Sequence, residues 1–459
     1  MLPKDKEVDE MTIQNKKSEM NKSKQLYFNF NKVDLFEEIC ALGTLKEAFK
    51  LVKKNKGAPG IDGITINKYE ENLDKELNQL KTEVMNWKYK PTPVKRVEIP
   101  KPGGKGMRLL GIPIVKDRIL HMAIKMVLEP ILDPLFSKNS FGFRPGRNQQ
   151  QAVQQAQKIV QSGKEFVVDI DLSKFFDRIN HDRLIYRLKS NVTDNRVLRL
   201  IGMILRGGIM IEGIKIPSEE GSVQGSPLSP LLSNVVLDEL DKELEERNLE
   251  FCRFADDCNI FAKSERGATR IMSSIKKFIE KKLKLKVNEE KSKTSKSDKV
   301  KFLGMTIING TISIAKITYN KAMDTVKSLI PRGSHLPIEI AMQEINRWYQ
   351  GWASYFKMTQ YPAQLQAVEA HIRRRFRARL VRQQKKKRNL LKMLMKRGIK
   401  KANAKKVVYS NHRTWKLSHT AVMEKVYSIK WFIEGLGQKI ISNKKLDHWF
   451  EIRKWVKLT

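Results

Sequence analysis

Phe251-Cys-Arg-Phe-Ala-Asp-Asp-Cys-Asn-Ile-Phe261 sets two adjacent carboxylates, Asp256 and Asp257, between short apolar runs whose aromatic content suits strands better than helices. Asp is depleted in strands, and a carboxylate pair between apolar segments is partly desolvated, which is costly unless something positive neutralises it. A divalent cation would do so. Two strands joined at Ala255-Asp256-Asp257 make a hairpin whose tip projects the carboxylates at whatever binds above the sheet. An isolated Asp-Asp pair is ordinarily just an acidic turn, so the reading depends on what else the chain carries.

A second stretch, Phe166-Val-Val-Asp-Ile-Asp-Leu-Ser-Lys-Phe-Phe-Asp177, begins as a strand. Alternation places Asp169 and Asp171 on one face and Val168, Ile170 and Leu172 on the other, so a third carboxylate is available. Between the two stretches lies Gly221-Ser-Val-Gln-Gly-Ser-Pro-Leu-Ser-Pro230, a loop of small residues that lets backbone approach a ligand closely before an apolar helix opens.

Strand carboxylate, Gln-Gly loop and Phe-Ala-Asp-Asp hairpin, in that order, resemble the palm of a reverse transcriptase. Further blocks extend the likeness: Gly57-Ala-Pro-Gly-Ile-Asp-Gly63, Ile99-Pro-Lys-Pro-Gly-Gly104, Arg108 to Arg118, Ser140-Phe-Gly-Phe-Arg-Pro-Gly-Arg147 and Phe302-Leu-Gly304. Together they resemble the ordered blocks of the group II intron reverse transcriptase/maturase family over residues 31 to 459. By this resemblance the protein is expected to be of the type that lacks the Cys-rich nuclease module some relatives carry.

The resemblance implies an α+β right-hand polymerase fold. Residues 1–30 form a polar extension, 31–165 the fingers and 166–315 the palm. An α-helical thumb or X domain follows at 316–385, and a basic DNA-binding region at 386–459. Val94 to Ile99 and Met107 to Ile114 are expected to pair as a hairpin around the Gly-rich segment Lys101 to Gly106.

By the same resemblance Asp171 and Asp256 bridge two magnesium ions, manganese being able to replace them, and Asp257 completes the triad less directly. Asp171 is chosen over Asp169 because the family has an aromatic residue five positions after its catalytic Asp, and Phe176 fills that place. Asp169 is left without a role, and Asp177 is expected to help start the following helix. Magnesium keeps several waters and takes few protein ligands, which suits so small a carboxylate set.

Phe176 would lie beneath the incoming sugar and exclude a 2′-hydroxyl, unless it is a core aromatic. Lys101 and Arg108 are the implied triphosphate contacts, with Lys95 a weaker third. Gln224 and Gly225 would pack beside the incoming base and template. Arg144 and Arg147 read as template or phosphate contacts or as plain surface charge. The family usually has Tyr where this chain has Phe254, and Pro where it has Val223; loss of one hydroxyl should tune activity, not abolish it.

Composition agrees with a nucleic-acid partner. The formal charge is +39, from 89 basic and 50 acidic residues, far more than solubility needs. Between His371 and Lys406 stand 17 basic residues and no acidic one. Ile372, Phe376 and Leu380 recur at helical spacing there, so Arg373, Arg374 and Arg377 are expected to face outward with Lys385 and Lys386 as nucleic-acid contacts. Trp415, Trp431, Trp449 and Trp455 read as core anchors or base-stacking platforms.

Cys40, Cys252 and Cys258 lack a metal or disulfide spacing and read as packing residues. No apolar run reaches the ~20 residues of a membrane span, and the start lacks a signal-peptide core, so a cytoplasmic location is expected.

The expected activity is RNA-directed DNA synthesis, with group II intron RNA, an RNA template, a DNA primer, a DNA target and dNTPs as partners; no protein partner is indicated. Splicing assistance and retrohoming follow from the resemblance. Two other readings stand beside it: a splicing cofactor with a vestigial polymerase, against which the intact carboxylates argue, and a domesticated reverse transcriptase in DNA repair or phage defence.

Overall fold

Val and Ile flank the Gly-rich stretch 101–106 on one side and Leu and Ile on the other, and the expected antiparallel pair forms. β1 (Val94–Pro100) and β2 (Met107–Ile112) run in register from Lys95 opposite Ile112 to Pro100 opposite Met107. The computed structural model describes residues 34–100, 107–211, 214–216, 220–222, 225–333 and 336–432. The polar stretch 1–30, Lys101, Val223, Gln224, Trp449 and Trp455 lie outside those residues, as does the side chain of Arg108.

Eight further strands follow among the described residues: β3 (Phe166–Ile170), β4 (Ile209–Ile211), β5 (Ile214–Ile216), β6 (Glu250–Phe254), β7 (Asp257–Ala262), β8 (Lys293–Lys296), β9 (Met305–Ile308) and β10 (Thr311–Ile314). One sheet has the order β2-β1-β4-β5, with β4 parallel to β1; another has β6-β7-β3-β8. The hairpin of β9 and β10 turns on Asn309-Gly310, both at positive φ (+49° and +72°), the pairing that a tight two-residue turn requires. Helix and sheet are mixed, as the α+β expectation requires.

The chain forms two compact units. One combines the chain up to Asn148 with Val168–Ile260 and Thr269–Lys293; the other combines Gln149–Val167, Phe261–Ala268 and the chain from Thr294 onward. In the first, helix Val115–Leu132 is buried along most of its length, and it packs on helix Leu42–Lys54. Its one buried carboxylate, Asp117, accepts from Tyr89 Oη at 2.8 Å and from the Thr92 N–H at 3.0 Å, while burial pushes its pKa up to about 6.

Among the described residues the second unit is helical from Lys316 onward. Val326, Ile345, Tyr349, Val368, Ile372 and Phe376 share one core with Leu394, Ala404, Val408 and Met423. The three cysteines are free and buried, consistent with packing. Among the described residues no helix is long and apolar enough to cross a membrane.

Candidate active site

The carboxylate hairpin is built as the pattern predicts. β6 ends at Phe254, Ala255 turns with φ +55°, Asp256 follows in the turn, and Asp257 opens β7. Ala255 carries little side chain to resist the left-handed region, yet the conformation is costly for any residue with a Cβ and needs support.

That support is Arg253. Its guanidinium, fully buried, grips Asp241 through Nε at 2.7 Å and Nη2 at 2.5 Å, and Nη1 donates to Asn234 Oδ1 at 3.1 Å and to the Ala255 carbonyl at 2.9 Å. Burial works against the charge, but the Asp241 carboxylate outweighs it and holds Arg253 above its ordinary value. Asn234 Nδ2 in turn donates to the Gly142 carbonyl at 3.0 Å. Gly142 is required by its close approach, because a Cβ there would collide with the Ala255 amide nitrogen. The block containing Ser140 to Arg147 is therefore bolted to the carboxylate hairpin, and the backbones of Asn139, Phe141 and Arg253 exchange N–H to carbonyl bonds of 2.9 Å.

Asp171 lies one residue beyond β3, the strand beside β7 in the sheet. Its amide donates to Ser292 Oγ at 3.0 Å, and its carbonyl accepts from the Asn288 N–H at 2.8 Å. Its half-buried carboxylate faces the Lys291 ammonium at 3.4 and 3.5 Å. Lys291, which sequence reasoning missed among the many lysines of its segment, thereby joins the candidate site. Burial raises the Cys258 thiol first, and the carboxylates of Asp241, Asp169 and Asp257 raise it further.

The Gly221–Ser226 loop joins these parts. Gly221 and Ser222 donate to the carbonyls of Ile179 (2.8 Å) and Phe176 (2.7 Å), and His181 Nε2 lies 2.6 Å from the Gly221 carbonyl. Gly225, at φ +125°, packs on β2, where a Cβ would collide with the Gly111 carbonyl oxygen. Ser226 Oγ bonds His121 Nδ1 at 2.9 Å, and complete burial pushes that ring's pKa down to about 3, so it stays neutral and can accept. The backbone after Asp171 and strand β2 of the predicted fingers hairpin thus meet on one loop. Phe175 is buried, whereas Phe176, its ring at 5.2 Å edge-on, is half-buried. Asn180, not Asp177, caps helix His181–Lys189, accepting from the Arg183 N–H; Asp177 lies in the preceding 3-10 turn.

Several arginines have roles other than those expected. Arg144 is 7% exposed, and it donates to the Asp133 carboxylate and to the carbonyls of Asp133, Ser137 and Ser140. A guanidinium so engaged builds its loop and is unavailable to a template. Arg147 is half-buried and donates to the carbonyls of Lys138 and Ser140.

In the helical unit Arg373 and Arg377 are buried, not outward-facing. Arg373 lies 3.5 Å from Glu369, and Arg377 donates to Glu424 at 3.2 Å and to the Tyr427 carbonyl at 3.0 Å. Arg374 stacks on Trp415 at 4.1 Å. A helix that packs on several neighbours at once has no free face for them. Lys385 and Lys386 are exposed, as expected, and are followed by exposed Lys387 and Arg388.

Among the described residues no group of three or more His, Cys, Asp or Glu side chains stands close enough to cage a metal unaided. That fits magnesium, which commonly takes one or two carboxylates and completes its shell with substrate phosphates and water. Asp171, a third exposed with an ammonium against it, and half-buried Asp256 are the carboxylates suited to that part.

Comparison with known proteins agrees with this geometry. The profile described as reverse transcriptase (RNA-dependent DNA polymerase) matches residues 99–307, and the group II intron maturase-specific domain matches 319–398. Protein YkfC of Escherichia coli (strain K12) is 32% identical over 305 residues, 58% of this chain and 80% of that protein. Group II intron-encoded protein LtrA of Lactococcus lactis subsp. cremoris is 34% identical over 209 residues, 45% of this chain and 34% of LtrA. Among solved structures, a chain of a partial Cas6-RT-Cas1–Cas2 complex is 28% identical, covering 54% of this chain and 43% of that one, with a TM-score of 0.37. The fold is of the reverse transcriptase class. Within that class, the chain belongs to the group II intron reverse transcriptase/maturase family.

Proposed function

We propose that this protein is an RNA-directed DNA polymerase that binds group II intron RNA, assists its splicing and copies it into cDNA during retrohoming. The observation that carries the polymerase reading is the hairpin turn bearing Asp256 and Asp257 beside the strand that delivers Asp171. Two magnesium ions, when bound, would be held by Asp171 and Asp256 with Asp257 alongside, and would supply charge stabilisation for in-line displacement at phosphorus. Lys291 holds the Asp171 carboxylate against a cation until substrate arrives. Phe176 closes the space under the sugar, and the Gly221–Ser226 loop aligns base and template. Lys101 and Arg108 bind the triphosphate. Residues 31–165, 166–315, 316–385 and 386–459 serve as fingers, palm, thumb and DNA-binding region.

Primer extension on an RNA template with dNTPs and magnesium tests the reading directly; no cDNA from a correctly folded protein would overturn it. Phe176→Val should raise kcat/KM for ribonucleotides relative to deoxynucleotides by roughly 10- to 100-fold, the discrimination a pocket of this kind supplies. An unchanged ratio would return the ring to the core.

Intron affinity should depend on the exposed cations. Replacing Lys385, Lys386, Lys387 and Arg388 together with Gln should flatten the slope of log affinity against log salt by up to about 3.6, at ~0.7 to 0.9 for each phosphate no longer neutralised. Arg377→Ala should instead lower the melting temperature and leave that slope unchanged. Equal slopes in wild type and the quadruple variant would remove this surface from the intron interface.

A further inference from the structure

Phe143 takes no part in the catalysis or the core packing. Its backbone is in the left-handed region, at φ +60°, and it is 46% exposed. A bulky side chain at that φ is strained, and an exposed ring forgoes burial. The loop around it is nevertheless over-determined. Buried Arg144 binds the carbonyls of Asp133, Ser137 and Ser140, the Gly142 carbonyl is held by Asn234, and Phe141 donates to the Arg253 carbonyl. The neighbours thus fix the strained residue in place. Gly142 is pressed against the Ala255 amide, and one residue step is about 3.8 Å, so the Phe143 Cα stands within about 8 Å of the turn that carries Asp256. An apolar ring is therefore presented to solvent from the segment packed against the turn that carries Asp256, in a strongly basic protein.

We propose that Phe143 is a stacking platform for a nucleobase of the primer–template at the catalytic turn, an inference that rests on the polymerase reading. Every base has a π-face, so such a contact holds nucleic acid without reading sequence, as copying an arbitrary template demands. Arg144, the neighbouring residue that sequence suggested as the contact, instead builds the loop that presents the ring.

The test uses the full chain and primed RNA templates carrying 2-aminopurine at single positions near the primer end, in either strand. Wild type should quench the probe at one position. Phe143→Ala should abolish that quench and weaken primer–template binding by about 5- to 150-fold, the 1–3 kcal/mol of one base–aromatic stack, with the melting temperature little changed. Phe143→Trp should retain quench and affinity, and Phe143→Leu, apolar but not aromatic, should lose both. The probed strand that responds identifies whether template or primer supplies the base.

Wild-type binding and quenching by Phe143→Leu, or unaltered affinity in Phe143→Ala, would overturn the proposal. If wild type itself fails to extend the primed RNA, the polymerase reading falls and this inference falls with it. Normal wild-type extension with an unaltered Phe143→Ala overturns the inference alone.

Discussion

Asp256→Asn is expected to lower the rate of primer extension by on the order of 10³-fold or more while leaving the affinity for primed RNA within about twofold of wild type. The substitution preserves shape and a hydrogen-bonding oxygen but removes the charge, so the turn stays folded. Asp256 is half-buried on a turn that Arg253 sets through the Ala255 carbonyl and Gly142 through the Ala255 amide. Both supports act on backbone, so loss of the Asp256 charge acts on chemistry. Single-turnover extension and equilibrium binding on the same primed template separate the two effects. Near-normal extension by the folded variant would displace Asp256 from the site, and a parallel loss of binding would make it a structural residue.

Arg253→Met is expected to destabilise the protein by about 3–5 kcal/mol, because it strands the Asp241 carboxylate, which is 0% exposed. Adding Asp241→Leu should restore most of that stability, since an apolar pair of similar volume can replace a buried ion pair at little cost. Activity should not return with it, because no side chain would then donate to the Ala255 carbonyl that sets the turn before Asp256. Urea melts read the first effect and single-turnover rates the second. A double variant that extends primers like wild type would show that the turn holds its shape without Arg253.

Much of the site is legible in the chain. Asp in a strand-like run breaks local preference, and two such breaks flanking a Gln-Gly loop make the carboxylates conspicuous. Phe176 and Phe175 are equivalent rings in the chain, and only the fold makes the first half-buried and the second buried. The helix start is not legible in the same way, since Asp177 and Asn180 are both eligible caps by composition and only backbone geometry distinguishes them. Lys291 is invisible in one dimension because its significance lies in facing Asp171, 120 positions away.

The sequence by itself determined the order of strands and turns, the carboxylates they carry and the family those blocks define, because alternation, turn chemistry and motif spacing are properties of neighbouring residues. Tertiary structure decided which charges are used outside and which inside. The acid-free run from His371 to Lys406 looks uniformly basic in one dimension, yet Arg373 and Arg377 are buried, the one beside buried Glu369 and the other bonded to exposed Glu424, while Lys385 and Lys386 stand in solvent. Likewise Arg253 reads as one more cation until Asp241, Asn234 and the Ala255 carbonyl close around it. Formal charge is written residue by residue, but desolvation and pairing depend on groups brought together by the fold, so only the folded chain separates an arginine that holds the protein together from a cation free to meet nucleic acid.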